Sequence, residues 1–192
     1  MTLGENKKIT LGLIEEYSKV NTALTEDEDI ATRLNFIYAT NYQELSQTKK
    51  IIETEVLKDI ADNTHNGYTK YTLPSNLYQI KRVLALDENN NMKDTDYYTL
   101  GKDMYINNNS NYKYILEYYK FPTIITENTK DEFELEIEQD AQMILPYAVA
   151  NDILKVDPSA DYTAFLNEYK RKKEELDTRK EIPSITVLEG VL

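Results

Sequence analysis

The chain contains no cysteine, no tryptophan and a single histidine, His65, and it has only five glycines and five prolines in 192 residues. Each shortage closes a route. Without thiols there is no disulfide framework, no thiolate zinc or iron–sulfur site and no cysteine nucleophile. One histidine in a polar run beside a turn gives no imidazole-based dyad or triad for catalysis. The glycines, at positions 4, 12, 67, 101 and 190, are scattered, and no Gly-Lys-Ser spacing forms a loop that cradles phosphates. Cations are scarce as well: 22 Lys and Arg stand against 34 Asp and Glu, a net charge of −12. Tight nucleic-acid binding, which needs clustered Lys and Arg, is disfavoured. No run approaches the roughly 18 apolar residues of a membrane span. Glu5, Lys7 and Lys8 stand where a signal peptide would turn apolar. A protein made in the cytoplasm, with no membrane partner, is expected.

What is abundant is tyrosine, sixteen of it, a residue favoured both in strands and at interfaces. The length suits one domain, or one domain with a sizeable insertion, with a core that needs no metal or disulfide. From Ile9 to Tyr17 the apolar spacing predicts a short helix with Thr2 or Asn6 as its cap. Thr25 three residues before Glu28 reads as a capping box, followed by the stripe Ile30, Leu34, Ile37, Tyr38, Asn41 and Leu45. Ile51 to Ile60 is ambiguous: Ile52, Val56, Leu57 and Ile60 match a helical stripe, while Ile51 to Val56 also fits an extended strand.

At Asn66-Gly67 a turn signal introduces alternation through Tyr68 to Leu73, which Pro74 ends. Leu77 to Leu86, Tyr97 to Leu100 and Met104 to Ile106 continue as strands, and Asp87 to Asn91 is a polar turn. The longest expected strand, Tyr112 to Phe121, sets Tyr112, Tyr114, Leu116 and Tyr118 on one face. Helical spacing returns from Glu138 through Val156, with Pro146 predicted to kink it near Gln142. Asp157-Pro158 is expected to launch a last helix with Tyr162, Phe165, Leu166, Tyr169 and Leu176 on one face and Lys170 to Lys173 on another. The predicted class is therefore α+β, mainly helical. It is a helical bundle over residues 1–182 with a small antiparallel β insert at about 66–122 and an extended tail at 183–192.

That tail is apolar at Ile185, Val187, Leu188, Val191 and Leu192 and follows a heavily charged helix. A β-branched, alternating terminal segment suits strand addition to a partner. No chemistry-bearing constellation competes with it. Asp87, Asn89 and Asn91 imitate the start of a calcium loop, but Met92 stands where glycine is required and Tyr98 where a bidentate glutamate is required. The acidic run Asp131, Glu132, Glu134, Glu136, Glu138 and Asp140 alternates with Phe133, Leu135 and Ile137, the pattern of a solvated edge leading into a helix. No metal, cofactor or catalytic residue is assigned.

Four places together resemble the head–tail connector (adaptor) proteins of tailed bacteriophages and prophages. They are Leu24 to Ile30, Gly67 to Pro74 with Leu77 to Ile80, Leu135 to Glu138 with Leu145 to Leu154, and the charged last helix with its tail. The resemblance covers most of the chain and implies a closed ring of about twelve copies beneath the portal, without enzyme activity. It further implies that Ile185, Val187, Leu188, Val191 and Leu192 contact the portal protein. The opposite side of the ring would receive a downstream tail or tail-terminator protein in the virion neck. Tyr162, Tyr169, Lys170 and Lys173, with Tyr112, Tyr114 and Tyr118 of the insert, are the expected subunit interface. An acidic ring lets DNA pass without specific binding. Alternatives are a binding module whose tyrosine-rich insert takes carbohydrate or peptide, an acidic DNA mimic, and a metal-dependent hydrolase using the 131–140 carboxylates.

Overall fold

The computed structural model describes residues 1–19, 23–58, 64–65, 67–107, 112–157 and 160–178. It divides into two units, one formed by Met1–Lys49 with the chain from Ile125 onward, the other by Lys50–Ile124. Among the described residues 39% are helical and 28% are in strands. The expected mainly helical bundle with a small insert is thus corrected to a mixed fold with two antiparallel sheets. The insert is larger than expected because the ambiguous stretch after Lys50 is a strand, Ile51–Leu57, paired along its whole length with a later one.

In the helical unit, α1 (Leu3–Leu13) starts in a capping box: Thr2 Oγ1 accepts from the Glu5 amide at 3.2 Å, and Glu5 Oε2 accepts from the Thr2 amide at 2.8 Å. Its next free amides are also satisfied, Leu3 N–H by the Phe133 carbonyl at 2.7 Å and Gly4 N–H by the Asp131 carbonyl at 2.8 Å. A side chain at Gly4 would meet Asp131 Cβ at 2.7 Å. Hence the helix start and the 131–135 segment lie too close for any residue but glycine. Lys7, buried on the same side, reaches Asp131 at 2.6 Å.

Helix α2 (Glu28–Thr48) is capped by Asp27 rather than Thr25, with Asp27 Oδ1 accepting from the amides of Asp29 and Ile30, both at 2.9 Å. It buries Ile30, Leu34, Tyr38, Tyr42 and Leu45. Helix α3 (Gln139–Leu154) is apolar nearly all round, burying Ala141, Ile144, Leu145, Pro146, Ala148, Val149, Ala150 and Ile153. Such a helix must be central, and it packs against α1, α2 and α4 (Thr163–Thr178). The last helix begins later than Asp157-Pro158 predicts, with Thr163 N–H donating to Asp161 Oδ1 at 3.0 Å.

Pro146 lies inside α3 and has no N–H to give the Gln142 carbonyl four residues earlier. The missing donor comes from another helix. Asn6 Nδ2 bonds that carbonyl at 2.7 Å, Tyr38 hydroxyl donates to Asn6 Oδ1 at 3.0 Å, and Thr10 Oγ1 stands 2.5 Å from the Tyr38 oxygen. Asn6, Thr10 and Tyr38 are fully buried, and burial pushes the Tyr38 phenol far above its ordinary pKa. The predicted buried face of α1, running through Ile9 and Tyr17, is therefore replaced by one containing Asn6, Lys7 and Thr10, while Ile9 and Tyr17 are exposed.

The second unit holds β1 (Ile51–Leu57), β2 (Thr64–His65), β3 (Tyr68–Thr72), β4 (Leu77–Leu86), β5 (Met92–Asp94), β6 (Tyr97–Leu100), β7 (Asp103–Asn107) and β8 (Lys113–Lys120). They form two antiparallel sheets, ordered β1-β8-β4-β5 and β2-β3-β7-β6. Leu57, Val83, Ala85, Tyr114, Leu116 and Tyr118 of the first pack on Tyr71, Met104 and Ile106 of the second, a sandwich with its own core. The longest strand is β4, of ten residues, with register shifts at Leu77/Gln79 and Ile80/Arg82; β8 has eight.

Asn6→Ala is expected to lower stability by about 2 kcal/mol, because it strands a buried carbonyl and a buried phenol. In a Pro146→Ala background, where residue 146 regains an N–H for Gln142, the same change should cost markedly less. Urea unfolding followed by circular dichroism measures both; equal costs in the two backgrounds would show that the carbonyl is not what Asn6 serves.

Candidate functional site

Of the expected interface tyrosines of the insert, Tyr114 and Tyr118 of β8 lie inside the sandwich, and Tyr112, just ahead of β8, is half-buried against the same core. Tyr114 and Tyr118 are buried among Leu57, Val83 and Leu116, so they hold the two sheets together and are not contact surface for another chain. The reason is position. β8 is flanked by β1 and β4, and its aromatic face is the inner one. Tyr112 remains at the edge, its hydroxyl accepting from Lys93 Nζ at 2.9 Å with the ammonium 4.2 Å from the ring centre.

On α4, Tyr169 and Lys173 converge on one carboxylate of α2: Tyr169 hydroxyl donates to Glu44 Oε1 at 2.8 Å and Lys173 Nζ reaches the same oxygen at 2.7 Å. These bonds, Lys173 first, hold Glu44 below the usual carboxylate range. Tyr162 is half-buried and Lys170 exposed. Elsewhere on α4, Glu168 takes Arg171 at 2.7 Å and Lys172 at 3.4 Å, which pulls its pKa down to about 2. The residues expected to contact a portal, Ile185, Val187, Leu188, Val191 and Leu192, lie outside the described residues.

Two exposed aromatic clusters, neither singled out by the sequence, lie on the outer faces of the sandwich. On the β3-β7-β6 sheet, Tyr98 stacks on Tyr105 at 4.8 Å with an interplanar angle of 5°, and Tyr68 meets Tyr98 edge-on at 5.2 Å. Leu100, 69% exposed, alternates onto the same face as Tyr98. On the other sheet, Tyr78 meets Phe121 edge-on at 5.1 Å, and Lys50 Nζ lies 5.5 Å from the Tyr78 ring and 4.8 Å from the Tyr119 ring. The readable signal for the first cluster was the parity of β7: Met104 and Ile106 face the core, which turns Tyr105 outward.

Beside the second cluster, Glu117 is buried on the central strand and receives Arg82 through both carboxylate oxygens, at 2.9 and 3.0 Å, with Lys81 at 3.8 Å. The Arg82 bonds outweigh desolvation and hold the Glu117 carboxyl below its ordinary range. The Asp87 turn is closed internally, with Asp87 accepting from the amides of Asn89 and Asn91 at 2.8 and 2.9 Å and from Asn91 Nδ2 at 3.0 Å. That is an Asx turn joining β4 to β5. In the 131–140 run, Leu135 and Ile137 point inward as the alternation predicts. Among the described residues no group of three or more His, Asp or Glu side chains is placed to hold a metal, and no helix is long and apolar enough to cross a membrane. No protein-family model matches the chain, and no curated protein matches it.

A carboxylate whose pKa is depressed on folding stabilises the fold fully above the unfolded pKa, and that contribution is lost as pH falls through the folded value. The stability of the β unit is therefore expected to decline with acid below the ordinary glutamate range. Glu117→Gln should flatten that decline in urea midpoints taken across the acid range; an unchanged pH dependence would assign it to other carboxylates.

Proposed function

We propose that this chain is a head–tail connector (adaptor) subunit of a tailed phage or prophage. It would form a ring beneath the portal, anchor the tail and continue the DNA channel. The observation that carries the reading is the place of the Leu135 to Leu154 stretch, the strongest part of the resemblance. Leu135, Ile137 and helix α3 form the packing hub on which α1, α2 and α4 meet. The β unit enters as a self-cored insertion between the two helix pairs. A part built this way presents surfaces rather than a reaction centre, and its net charge of −12 suits a channel wall that does not retain DNA. In this reading the subunit works without cofactor in the virion neck, with the portal on one side and a tail or tail-terminator protein on the other.

A second reading, a module binding carbohydrate or peptide, is favoured by the exposed Tyr68, Tyr98 and Tyr105 cluster. Deletion of residues 183–192 separates the two. The truncated chain is expected to keep its circular dichroism spectrum and melting behaviour while losing co-sedimentation with portal-bearing heads. Normal attachment of the truncated chain would defeat the tail assignment, and glycan or peptide binding by a monomer with no portal affinity would favour the module.

A further inference from the structure

Where the chain returns to the helical unit, the turn from Thr126 to Thr129 is closed twice, by Thr129 N–H donating to the Thr126 carbonyl at 3.0 Å and by Thr126 N–H donating to Thr129 Oγ1 at 2.8 Å. So fixed, it aims three main-chain carbonyls at one point. Those of Thr126, Glu127 and Thr129 lie 3.0, 3.0 and 3.2 Å from Asn35 Nδ2 of α2. A side-chain amide has two hydrogens to give, so three acceptors share two donors. The other end of the side chain is worse served: Asn35 is only 9% exposed, and its Oδ1 is buried without a hydrogen-bond partner among the described residues. Four oxygens are gathered around one donor group, and what the cluster lacks is positive charge.

We propose that this is a site for a monovalent metal cation, potassium or sodium, held by the carbonyls of Thr126, Glu127 and Thr129 and by Asn35 Oδ1, with the Asn35 amino group filling the place when no ion is bound. Rotating the amide by half a turn exchanges Nδ2 for Oδ1 and puts an oxygen where the three carbonyls converge. Without a cation these four dipoles repel one another; with one, they form part of an oxygen shell of the kind that replaces an ion's hydration. The single charge follows from the surroundings. The cleft of about 450 Å³ that Asn35 lines also holds two lysines, Lys7 and Lys130, against three carboxylates, Glu127, Asp131 and Glu132, and Lys7 is already paired with Asp131 at 2.6 Å. Neutral carbonyls and one excess negative charge suit a monovalent ion. Calcium sites collect several carboxylates, and among the described residues no three acidic or histidine side chains are placed to hold a metal. The cleft leaves room for waters as the remaining ligands. The site lies wholly within the helical unit, so it stands or falls independently of the connector reading.

Thermal unfolding of the full chain in choline chloride, sodium chloride and potassium chloride at one ionic strength tests this, because general screening of an acidic chain is then the same in all three. The midpoint should be about 2–4 °C higher in at least one alkali salt than in choline, and the sodium and potassium arms identify the preferred ion. Equal midpoints in the three salts overturn the proposal, as does stabilisation by calcium chloride alone. Asn35→Asp cannot donate but offers a charged oxygen at the same point, so it should widen the gap between alkali salt and choline. Asn35→Ala should close that gap, and a gap unchanged in both variants would show Asn35 to be a structural donor only. A readout on the native chain covers the case of variants that do not fold. The nuclear magnetic resonance signals of the Asn35 side-chain amide should shift when the preferred alkali ion replaces choline, since its hydrogens leave the three carbonyls; signals that stay in place overturn the proposal.

Discussion

The helical unit depends on one backbone carbonyl. Pro146 removes the hydrogen bond that the Gln142 carbonyl would receive within α3, at a point where the helix is surrounded by others and water is not at hand. An unpaired carbonyl in such a place costs about 1–3 kcal/mol. Asn6 supplies the donor, and this sets the rest: α1 must present a polar residue to the core, Tyr38 must satisfy the Asn6 oxygen, and Thr10 must satisfy the Tyr38 hydroxyl. The side chain of the same residue, through Gln142 Nε2, bonds the carbonyls of Leu135 and Ile137 at 2.9 and 2.7 Å, tying the extended lead-in to the helix it precedes. Three segments distant in sequence are thereby held to one register by hydrogen bonds, which demand more specific geometry than apolar packing does.

The same network explains which parts of the chain could be read in advance. Helix α3, the start of β3 after Gly67, the Asp87 turn and strands β6 and β7 follow local signals: apolar spacing, Asn-Gly chemistry and alternation. Helix α1 was misplaced because its buried face includes Asn6, Lys7 and Thr10, residues that no hydrophobic pattern assigns to a core. The partners of Asn6 and Lys7, Gln142 and Asp131, are more than a hundred residues away. The Ile51 to Leu57 strand was undecidable locally, since Ile52, Val56 and Leu57 fit either period; pairing with β8 decides it.

For the tyrosines, alternation gives parity but not side. Tyr114 and Tyr118 do share a face of β8, with Tyr112 just ahead of it packed on the same side, and that face is the one the second sheet covers. Period two cannot say which face will be inside. On a central strand the other face can be buried as well, as Ile115 and Glu117 are. The exposed tyrosines therefore had to come from strands whose alternate positions fill the core, which is the situation of β3 and β7. Candidate contact residues were thus legible as a residue type and illegible as positions.

Charge sharpens the same distinction between what serves the fold and what is left for partners. On α4, Glu168 and Glu175 both pair with Arg171, Lys172 pairs with Glu168, and Lys173 crosses to Glu44 on α2. The basic run that looked like a recognition surface is therefore largely internal to the helical unit. Exposed pairs of this kind add little stability individually, but they neutralise a helix face that would otherwise attract any anion, DNA included.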